Sequence, residues 1–311
     1  MIDVLIIGAG PAGLSAAIYV ERAGYHAVCL EGLTVGGQIV NTPEIENYPG
    51  IKKVSGFDFS MGLYEQATEL GAEVLYEKAE SIKKDAGTEG EAGNSIFRVE
   101  TTSGKNIEAK AVIIATGAKN RHLGLDKEET LTGKGVSYCA TCDGAFFRGK
   151  DVAVNGGGNT ALEDALFLTK YCNKVYIIHR RDAFRGEPKN LEAVKNKENV
   201  ELVLNSTVTE LKGDKALEAV IVKNKLDGSE REIPVQGLFI AIGQEPDNYY
   251  FKDVVSLDSS GYIVADESCK TGTPGVFVAG DCRTKTVRQL TTAASDGAVA
   301  GLAAVSFIQG Q

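Results

Sequence analysis

The chain contains the same local pattern twice, and each copy restricts what the surrounding residues can form. Residues 2–7 are an almost continuous apolar run, which is typical of a parallel strand buried on both faces. That run enters a glycine-rich turn at 8–13, and an alanine-rich helix follows. The second copy has an apolar run from Asp151 to Val154, a glycine-rich turn at 156–161 and another helix. Strand, turn and helix in this order predict a dinucleotide-binding turn in each copy.

Each glycine of the first turn has a separate expected role. Gly8 permits the tight turn, Gly10 allows a pyrophosphate to approach the backbone, and Gly13 allows the helix and strand to pack closely. The helix N-terminus adds positive partial charge at the same place. The next strand ends at Glu31, whose carboxylate can accept hydrogen bonds from a ribose diol and would repel a 2′-phosphate. The alternative for Glu31 is an ordinary surface acid.

The corresponding position in the second copy is basic. It lies 23 residues after the first glycine of the turn in both copies (31 − 8 = 179 − 156 = 23). In the second copy it is His179, followed by Arg180, Arg181 and Arg185. Guanidinium groups bind phosphate through charge-assisted, bidentate bonds, so this set predicts a nucleotide that carries a 2′-phosphate. A solvated basic turn is the alternative for Arg185 alone.

A C-x-x-C-D sequence stands between the two copies, at Cys139, Cys142 and Asp143. Two thiols at this spacing in a loop-to-helix turn can close a small disulfide ring, and such motifs commonly lower the pKa of one thiol. A zinc site would need two more Cys or His ligands at similar spacing, and the three histidines offer no such pair. In a reducing compartment the motif predicts a cycling dithiol. The other cysteines are expected in the core: Cys29, Cys172, Cys269 and Cys282.

Length and repetition predict two domains in 311 residues. The run at 237–243 mirrors the run at 111–117 and is interpreted as the return to the first domain. The first domain is then discontinuous, at residues 1–119 and 244–311, with the second at 120–243. The predicted fold class is α/β, with two Rossmann-like three-layer nucleotide-binding domains, the second inserted in the first.

Charge and hydropathy limit the partners and the location. Lys and Arg total 33 against 42 for Asp and Glu, and the net charge of -9 argues against a nucleic-acid partner. The N-terminal residues enter a strand without a basic leader, and the apolar run at 298–308 is too short to span a bilayer. We therefore expect a cytoplasmic protein without a membrane partner. A polar, glycine-rich stretch at 85–94 predicts a solvated turn.

Other polar and glycine residues stand where the predicted strands end. Thr116 and Gly117 follow an apolar strand and allow close approach of a cofactor to the backbone. Asp281 follows the strand that starts at Val276, at the end of an open parallel sheet where ligands bind. The loop at 36–50 is long, and such connections are more often functional than idle.

Taken together, these motifs extend over essentially the whole chain, which resembles the low-molecular-weight bacterial-type thioredoxin reductases. The shared motifs are GAGPAG at 8–13, GGQ at 36–38, ATGA at 115–118, CATCD at 139–143, GGGNTA at 156–161, HRRDAFR at 179–185, and AGD at 279–281 followed by RQ at 288–289. The chain departs from the family pattern at Asn155 and Ala145.

The resemblance implies a homodimer that uses FAD and NADPH and has thioredoxin or a thioredoxin-like protein as its partner. The implied FAD contacts are Gly8, Gly10, Pro11, Ala12, Gly13, Glu31, Gly37, Gln38, Asn47, Thr116, Gly117, Gly280, Asp281, Arg288 and Gln289. The implied NADPH contacts are Gly156, Gly158, Asn159, Thr160, His179, Arg180, Arg181 and Arg185. The N-terminus of the last helix, near Arg288, could stabilise negative charge on a reduced flavin.

The resemblance also implies the direction of electron flow. Hydride passes from NADPH to FAD, electrons then reduce the Cys139–Cys142 disulfide, and the dithiol reduces thioredoxin by thiolate exchange. Cys142 meets the flavin, Cys139 attacks the substrate disulfide and Asp143 supplies a proton. The alternatives are a ferredoxin-fed or flavin-only dithiol oxidoreductase of the same fold, and a non-enzymatic flavin redox sensor. The arginine set favours the NADPH enzyme over both.

Overall fold

The structure is a computed structural model that describes residues 1–42, 44–84 and 96–310. The turn expected at 85–94 lies outside the described residues. The chain forms two compact units, one of Met1–Lys119 with Glu245–Gln311 and one of Asn120–Gln244.

The described strands are, in chain order, β1 (Ile2–Ile7), β2 (Ala27–Leu30), β3 (Glu73–Leu75), β4 (Ala79–Lys84), β5 (Phe97–Thr101), β6 (Asn106–Ile114), β7 (Ala118–Asn120), β8 (Val136–Ser137), β9 (Asp151–Gly156), β10 (Lys174–Ile178), β11 (Val200–Val203), β12 (Ser206–Lys212), β13 (Ala219–Asn224), β14 (Glu230–Pro234), β15 (Gly237–Ala241), β16 (Gln244–Pro246) and β17 (Val276–Val278). The α-helices are α1 (Pro11–Arg22), α2 (Gly56–Glu69), α3 (Glu128–Leu131), α4 (Ala140–Asp143), α5 (Asn159–Leu168), α6 (Pro188–Lys195) and α7 (Leu290–Ile308). Short 3₁₀ helices span Gly37–Asn41, Gly144–Phe147 and Tyr249–Phe251.

The first unit is organised on a mostly parallel sheet of order β3-β2-β1-β6-β5-β4, with β17 beside β6. Strand β1 runs parallel to β2 and to β6, and it is buried from Val4 to Ile7 because its side chains are apolar on both faces. Strand β17 is also parallel to β6. The carboxyl ends of β1, β2, β6 and β17 therefore lie at the same edge of this sheet.

Helix α7 packs on α1 in the first unit through small residues. A Cβ on Gly297 would overlap the Ala12 carbonyl oxygen, so only glycine permits this separation of the two helices. With 19 residues and a mean hydropathy of 1.3, α7 is also one helix in the described part of the chain that is long and apolar enough to cross a membrane. It is longer than the apolar run at 298–308 because a capping box between Gln289 and Thr292 starts it earlier.

The second unit has a parallel sheet of order β11-β10-β9-β15-β8 and a separate antiparallel sheet of order β12-β13-β14. Strand β15 pairs with both β9 and β8, so the run at 237–243 supplies a central strand of the second unit. The interpretation of that run as the return to the first domain was wrong. The run resembles 111–117 because β15 and β6 occupy the same place, next to the strand that precedes the glycine turn.

Candidate functional site

Of the three motif glycines in the first turn, only Gly10 borders open space. A Cβ on Gly8 would overlap the Ala115 carbonyl oxygen, and a Cβ on Gly13 would overlap the Gly8 carbonyl oxygen. In contrast, no atom lies within 4 Å of a Cβ placed on Gly10, which is the N-cap of α1, with Pro11 in the first turn. Gly8 and Gly13 are thus required for packing, whereas Gly10 borders open space at a helix N-terminus that suits an anionic group.

We expect Gly13→Ala to destabilise the first unit by about 1–3 kcal/mol, because the added methyl group must displace the backbone of the turn. The matched control is Gly62→Ala in α2, where a Cβ meets no atom within 4 Å and alanine favours the helix by about 0.5–1 kcal/mol. Urea unfolding of the two variants measures the difference. Equal midpoints for the two would contradict the tight packing at Gly13.

Two carboxylates at this edge of the sheet differ in their hydrogen bonding. Glu31 follows β2 and accepts hydrogen bonds from the Ala9 N–H at 2.9 Å and the Leu33 N–H at 2.8 Å. Asp281 follows β17 and is half-buried, and its buried Oδ1 has no hydrogen-bond partner among the described residues. Burial raises the pKa of Asp281. A buried acceptor without a donor is unfavourable, so Asp281 fits a ligand that brings a hydroxyl or N–H group to this edge.

Other predicted contacts of the first unit are held by neighbouring loops. The Gln38 amide donates to the Ala118 carbonyl oxygen, and the Asn47 amide donates to the Gln289 side chain at 3.3 Å. The Arg288 guanidinium lies 4.1 Å from the centre of the Tyr262 ring. The hydroxyl of Thr116, after β6, donates to Asn248 at 3.1 Å, and Gly117 follows with a φ of 68°.

A buried ion cluster fixes the loop that carries Asp281, and sequence reasoning missed it. Asp296 of α7 accepts the Arg283 guanidinium at 2.9 Å through both oxygens, the Lys285 ammonium at 2.9 Å and the Gly280 N–H at 3.0 Å. Burial acts to raise the pKa of Asp296, but these two cations outweigh it and hold the pKa below its usual value. A signal was present, since Asp296 is the one charged residue of α7.

The second unit holds the dithiol in its oxidised form. Cys139 and Cys142 are joined by a disulfide, with Cα atoms 5.3 Å apart, as the motif predicted. Cys139 caps the short helix α4, which follows β8 directly, and Cys142 is the more exposed of the two. The four remaining cysteines are buried and unpaired, which confirms their predicted place in the core.

Asp143 is the last residue of α4, and its carboxyl is partly buried. The Ser137 hydroxyl donates to its Oδ2 at 2.6 Å. Burial raises the pKa of Asp143, and the Ser137 hydrogen bond opposes that shift only in part. An acid that holds its proton more tightly than usual, next to a disulfide, suits proton transfer to and from sulfur.

The second glycine turn is built like the first, with a histidine beneath it. A Cβ on Gly156 would overlap the Ala241 carbonyl oxygen, whereas Gly158, the N-cap of α5, borders open space. A Cβ on Gly157 would collide with the His179 ring, so this ring is buried under the turn. Its Nε2 lies 3.1 Å from the Ala183 carbonyl oxygen. Burial and then the neighbouring arginines lower the pKa of His179, so the imidazole is neutral at pH 7 and donates to that carbonyl.

The three arginines at 180–185 face solvent beside this turn. Arg180, Arg181 and Arg185 are exposed, and none makes an ion pair with a carboxylate in the described ranges. The Arg185 N–H donates to the Gly157 carbonyl oxygen at 2.8 Å, which joins the arginine turn to the glycine turn. Asn159 and Thr160 are exposed at the start of α5. The arrangement presents guanidinium groups next to a helix N-terminus, as an anionic nucleotide requires.

The family model described as pyridine nucleotide-disulphide oxidoreductase matches residues 2–297. The chain therefore belongs to the pyridine nucleotide-disulphide oxidoreductases and, among these, to the low-molecular-weight bacterial-type thioredoxin reductases. Membership of this family implies a flavin and a nicotinamide nucleotide as cofactors.

Curated relatives and solved structures agree with this placement. The thioredoxin reductase of Listeria monocytogenes is 42% identical over 308 residues, which cover 99% of this chain and 94% of that protein. The thioredoxin reductase of Helicobacter pylori is 43% identical over 317 residues, which cover 99% of each. The crystal structure of thioredoxin reductase from Streptococcus pyogenes is 39% identical, covers 99% of this chain and 98% of its own, and has a TM-score of 0.91. These matches confirm the predicted α/β class with two Rossmann-like domains.

Proposed function

We propose that this enzyme transfers electrons from NADPH through FAD to the Cys139–Cys142 disulfide, and from the resulting dithiol to thioredoxin or a thioredoxin-like protein. The observation that carries the proposal lies within the second unit. There, a disulfide followed by a partly buried acid shares one compact unit with a nucleotide turn that presents three arginines. A ferredoxin-fed enzyme or a flavin-bound sensor has no use for that arginine set.

The two units take different cofactors in this proposal. Residues 1–119 with 244–311 bind FAD, for which the open space at Gly10, the acid Glu31 and the unpartnered oxygen of Asp281 provide anion, ribose and hydroxyl contacts. Residues 120–243 bind NADPH and carry the dithiol. Bound FAD supplies the step between a two-electron hydride donor and a disulfide.

The chain's own residues then handle sulfur and protons. Cys139 is the sulfur that attacks the partner disulfide, and Cys142 is the sulfur that accepts electrons on the flavin side. Asp143 gives a proton to the departing sulfur when the Cys139–Cys142 bond breaks and takes one back when the dithiol is oxidised. The partial burial of Asp143 raises its pKa, so its carboxyl keeps the proton to higher pH than an exposed aspartate does.

We further propose that the enzyme is a cytoplasmic homodimer that binds neither nucleic acid nor a membrane. The net charge of -9 supports the exclusion of nucleic acid. Helix α7 uses its small-residue face to pack on α1, which supports a role as a core helix of the first unit.

Reduction of the flavin-loaded protein under anaerobic conditions tests the proposed function. NADPH should bleach the flavin absorbance, and oxidised thioredoxin added afterwards should restore it with formation of thioredoxin dithiol in equal amount. NADH at the same concentration serves as the control nucleotide and should act far more slowly. Bleaching by NADPH without any electron transfer to thioredoxin would favour the flavin-bound sensor. Bleaching by reduced ferredoxin alone would favour the ferredoxin-fed alternative.

A further inference from the structure

Ser137 makes hydrogen bonds to both ends of the dithiol segment, residues 139–143. It is the last residue of β8 and is only 3% exposed. Its hydroxyl donates to Asp143 Oδ2 at 2.6 Å, and its oxygen accepts the Cys139 N–H at 3.1 Å. Because Ser137 belongs to a strand of the parallel sheet, the acid and the first cysteine are both tied to one fixed point of the second unit.

The Ser137 hydroxyl has a second possible acceptor. Its oxygen lies 3.4 Å from the Cys139 carbonyl oxygen, compared with 2.6 Å from Asp143 Oδ2. A hydroxyl has one hydrogen and two lone pairs, so it can donate to only one of these two groups at a time. The shorter contact suits a hydrogen bond to an ionised carboxylate.

The carboxyl at this position is subject to two opposed effects. Burial favours the protonated form of Asp143 and so raises its pKa, and the Ser137 hydrogen favours the ionised form and lowers it. A group that must both give and take a proton within one catalytic cycle needs both forms within reach at the working pH. Ser137 is the side chain that offsets the burial.

Building on the proposed function, we propose that Ser137 is the positioning residue of the Asp143 carboxyl, holding it at the dithiol segment and moving its own hydrogen as the carboxyl loses and regains its proton. When Asp143 is ionised, Ser137 donates to Oδ2. When Asp143 is protonated, the carboxyl O–H donates to the Ser137 oxygen, and the serine hydrogen turns to the Cys139 carbonyl oxygen.

The proton and electron balance of this step is complete. Breaking the Cys139–Cys142 bond takes two electrons, which bound flavin would supply, and it leaves two sulfurs that together need two protons. One comes from the Asp143 carboxyl, which becomes a carboxylate, and the other comes from solvent. When the dithiol reduces the partner disulfide, one of its two protons passes to the first partner sulfur and the other returns to Asp143, and solvent supplies the proton for the second partner sulfur. The carboxyl and the serine are therefore unchanged after each turnover.

The test is Ser137→Ala, with the carboxyl titrated by infrared spectroscopy in the oxidised protein. The Asp143 band is identified by its loss in Asp143→Asn. Removing the serine costs the ionised carboxylate a charge-assisted hydrogen bond and the protonated acid only a neutral one. Asp143 should therefore become a weaker acid by roughly five- to tenfold, and its titration should move to higher pH. Ser137→Thr keeps the hydroxyl and should restore the original titration.

The matched control is Ser206→Ala, which removes a buried hydroxyl from the same unit. Ser206 is 4% exposed and donates to the Leu204 carbonyl oxygen at 2.8 Å, with no contact to a carboxyl. It should leave the Asp143 titration in place, although Ser206→Ala also removes a buried hydroxyl and the hydrogen bond that this hydroxyl makes. An unmoved Asp143 titration in Ser137→Ala, or the same movement in Ser206→Ala, would overturn the proposal.

Kinetics separate this proposal from the proposed function. In Ser137→Ala the pH profile of thioredoxin reduction should move to higher pH by the same amount as the infrared titration, since a weaker acid both keeps and regains its proton at higher pH. An enzyme that reduces no thioredoxin would contradict the proposed function, while the infrared result would still decide the role of Ser137. An active enzyme with unmoved profiles would contradict only the role of Ser137.

Discussion

Cys139→Ser is expected to lower thioredoxin reduction on the order of a thousandfold or more while NADPH still bleaches the flavin. The serine hydroxyl cannot replace a thiolate as the group that attacks a disulfide sulfur, and loss of a nucleophile has effects of this size. Electron entry into the flavin does not involve this sulfur. Stopped-flow absorbance measures flavin reduction, and the rate of thioredoxin dithiol formation measures the second half of the cycle.

The reciprocal variant Cys142→Ser is the matched control for this assignment. It keeps the attacking Cys139 but removes the sulfur that would release the partner, so it should accumulate a mixed disulfide with thioredoxin. Cys139→Ser should form none. Mass spectrometry under non-reducing conditions distinguishes the two variants. A mixed disulfide through Cys142 in Cys139→Ser would exchange the roles of the two sulfurs.

Replacing Arg180 and Arg181 together by alanine should lower kcat/KM for NADPH by at least about a hundredfold and leave the value for NADH nearly unchanged. Each charge-assisted bond to the 2′-phosphate contributes roughly 1.5–3 kcal/mol, and two of them act together. NADH lacks that phosphate, so it has no such contact to lose. Steady-state kinetics with both nucleotides and one disulfide substrate measure the ratio.

The control for the arginine prediction removes the same charge elsewhere in the second unit. Lys195 ends α6 and Lys215 lies between β12 and β13, and both are exposed. Lys195→Ala with Lys215→Ala lowers the charge by two without touching the arginine turn. If this pair alters the NADPH to NADH ratio as much as the arginine pair does, the preference comes from long-range attraction and not from direct phosphate contacts.

The parts of the site that the sequence predicted are formed by residues that are adjacent in the chain. The first strand, its glycine turn and the start of α1 follow one another directly, so apolar pattern and glycine spacing were sufficient to predict them. The Cys139–Cys142 disulfide was predictable for the same reason, because its two cysteines are only three positions apart. The position of β15 was not, since strand order depends on which sheet accepts an apolar run that suits either.

The parts that sequence did not predict depend on contacts across the fold. Asp296 meets Arg283 only because β17 and α7 bring a loop and a helix together, and nothing in either segment alone pairs them. Ser137 was overlooked because a serine at the end of a strand carries no signal by itself. Its hydrogen bond to Asp143 exists only because the turn after β8 brings Asp143 back to it. The sequence placed His179 after a strand but did not predict the direction of its side chain. A Cβ on Gly157 would overlap the His179 ring, so the ring lies beneath the glycine turn.

The insertion of one unit into the other sets the order in which the protein can fold during its synthesis. Asn120–Gln244 is continuous and leaves the ribosome whole, whereas the first unit waits for β17 and α7 in the last 67 residues (311 − 244). At about 5–20 residues per second, that wait lasts roughly 3–13 s. Until it ends, β6 lacks its neighbour β17 and α1 lacks the helix that covers its small-residue face. The nascent first unit consequently keeps apolar surface exposed during synthesis, which is the condition under which chains aggregate and chaperones act.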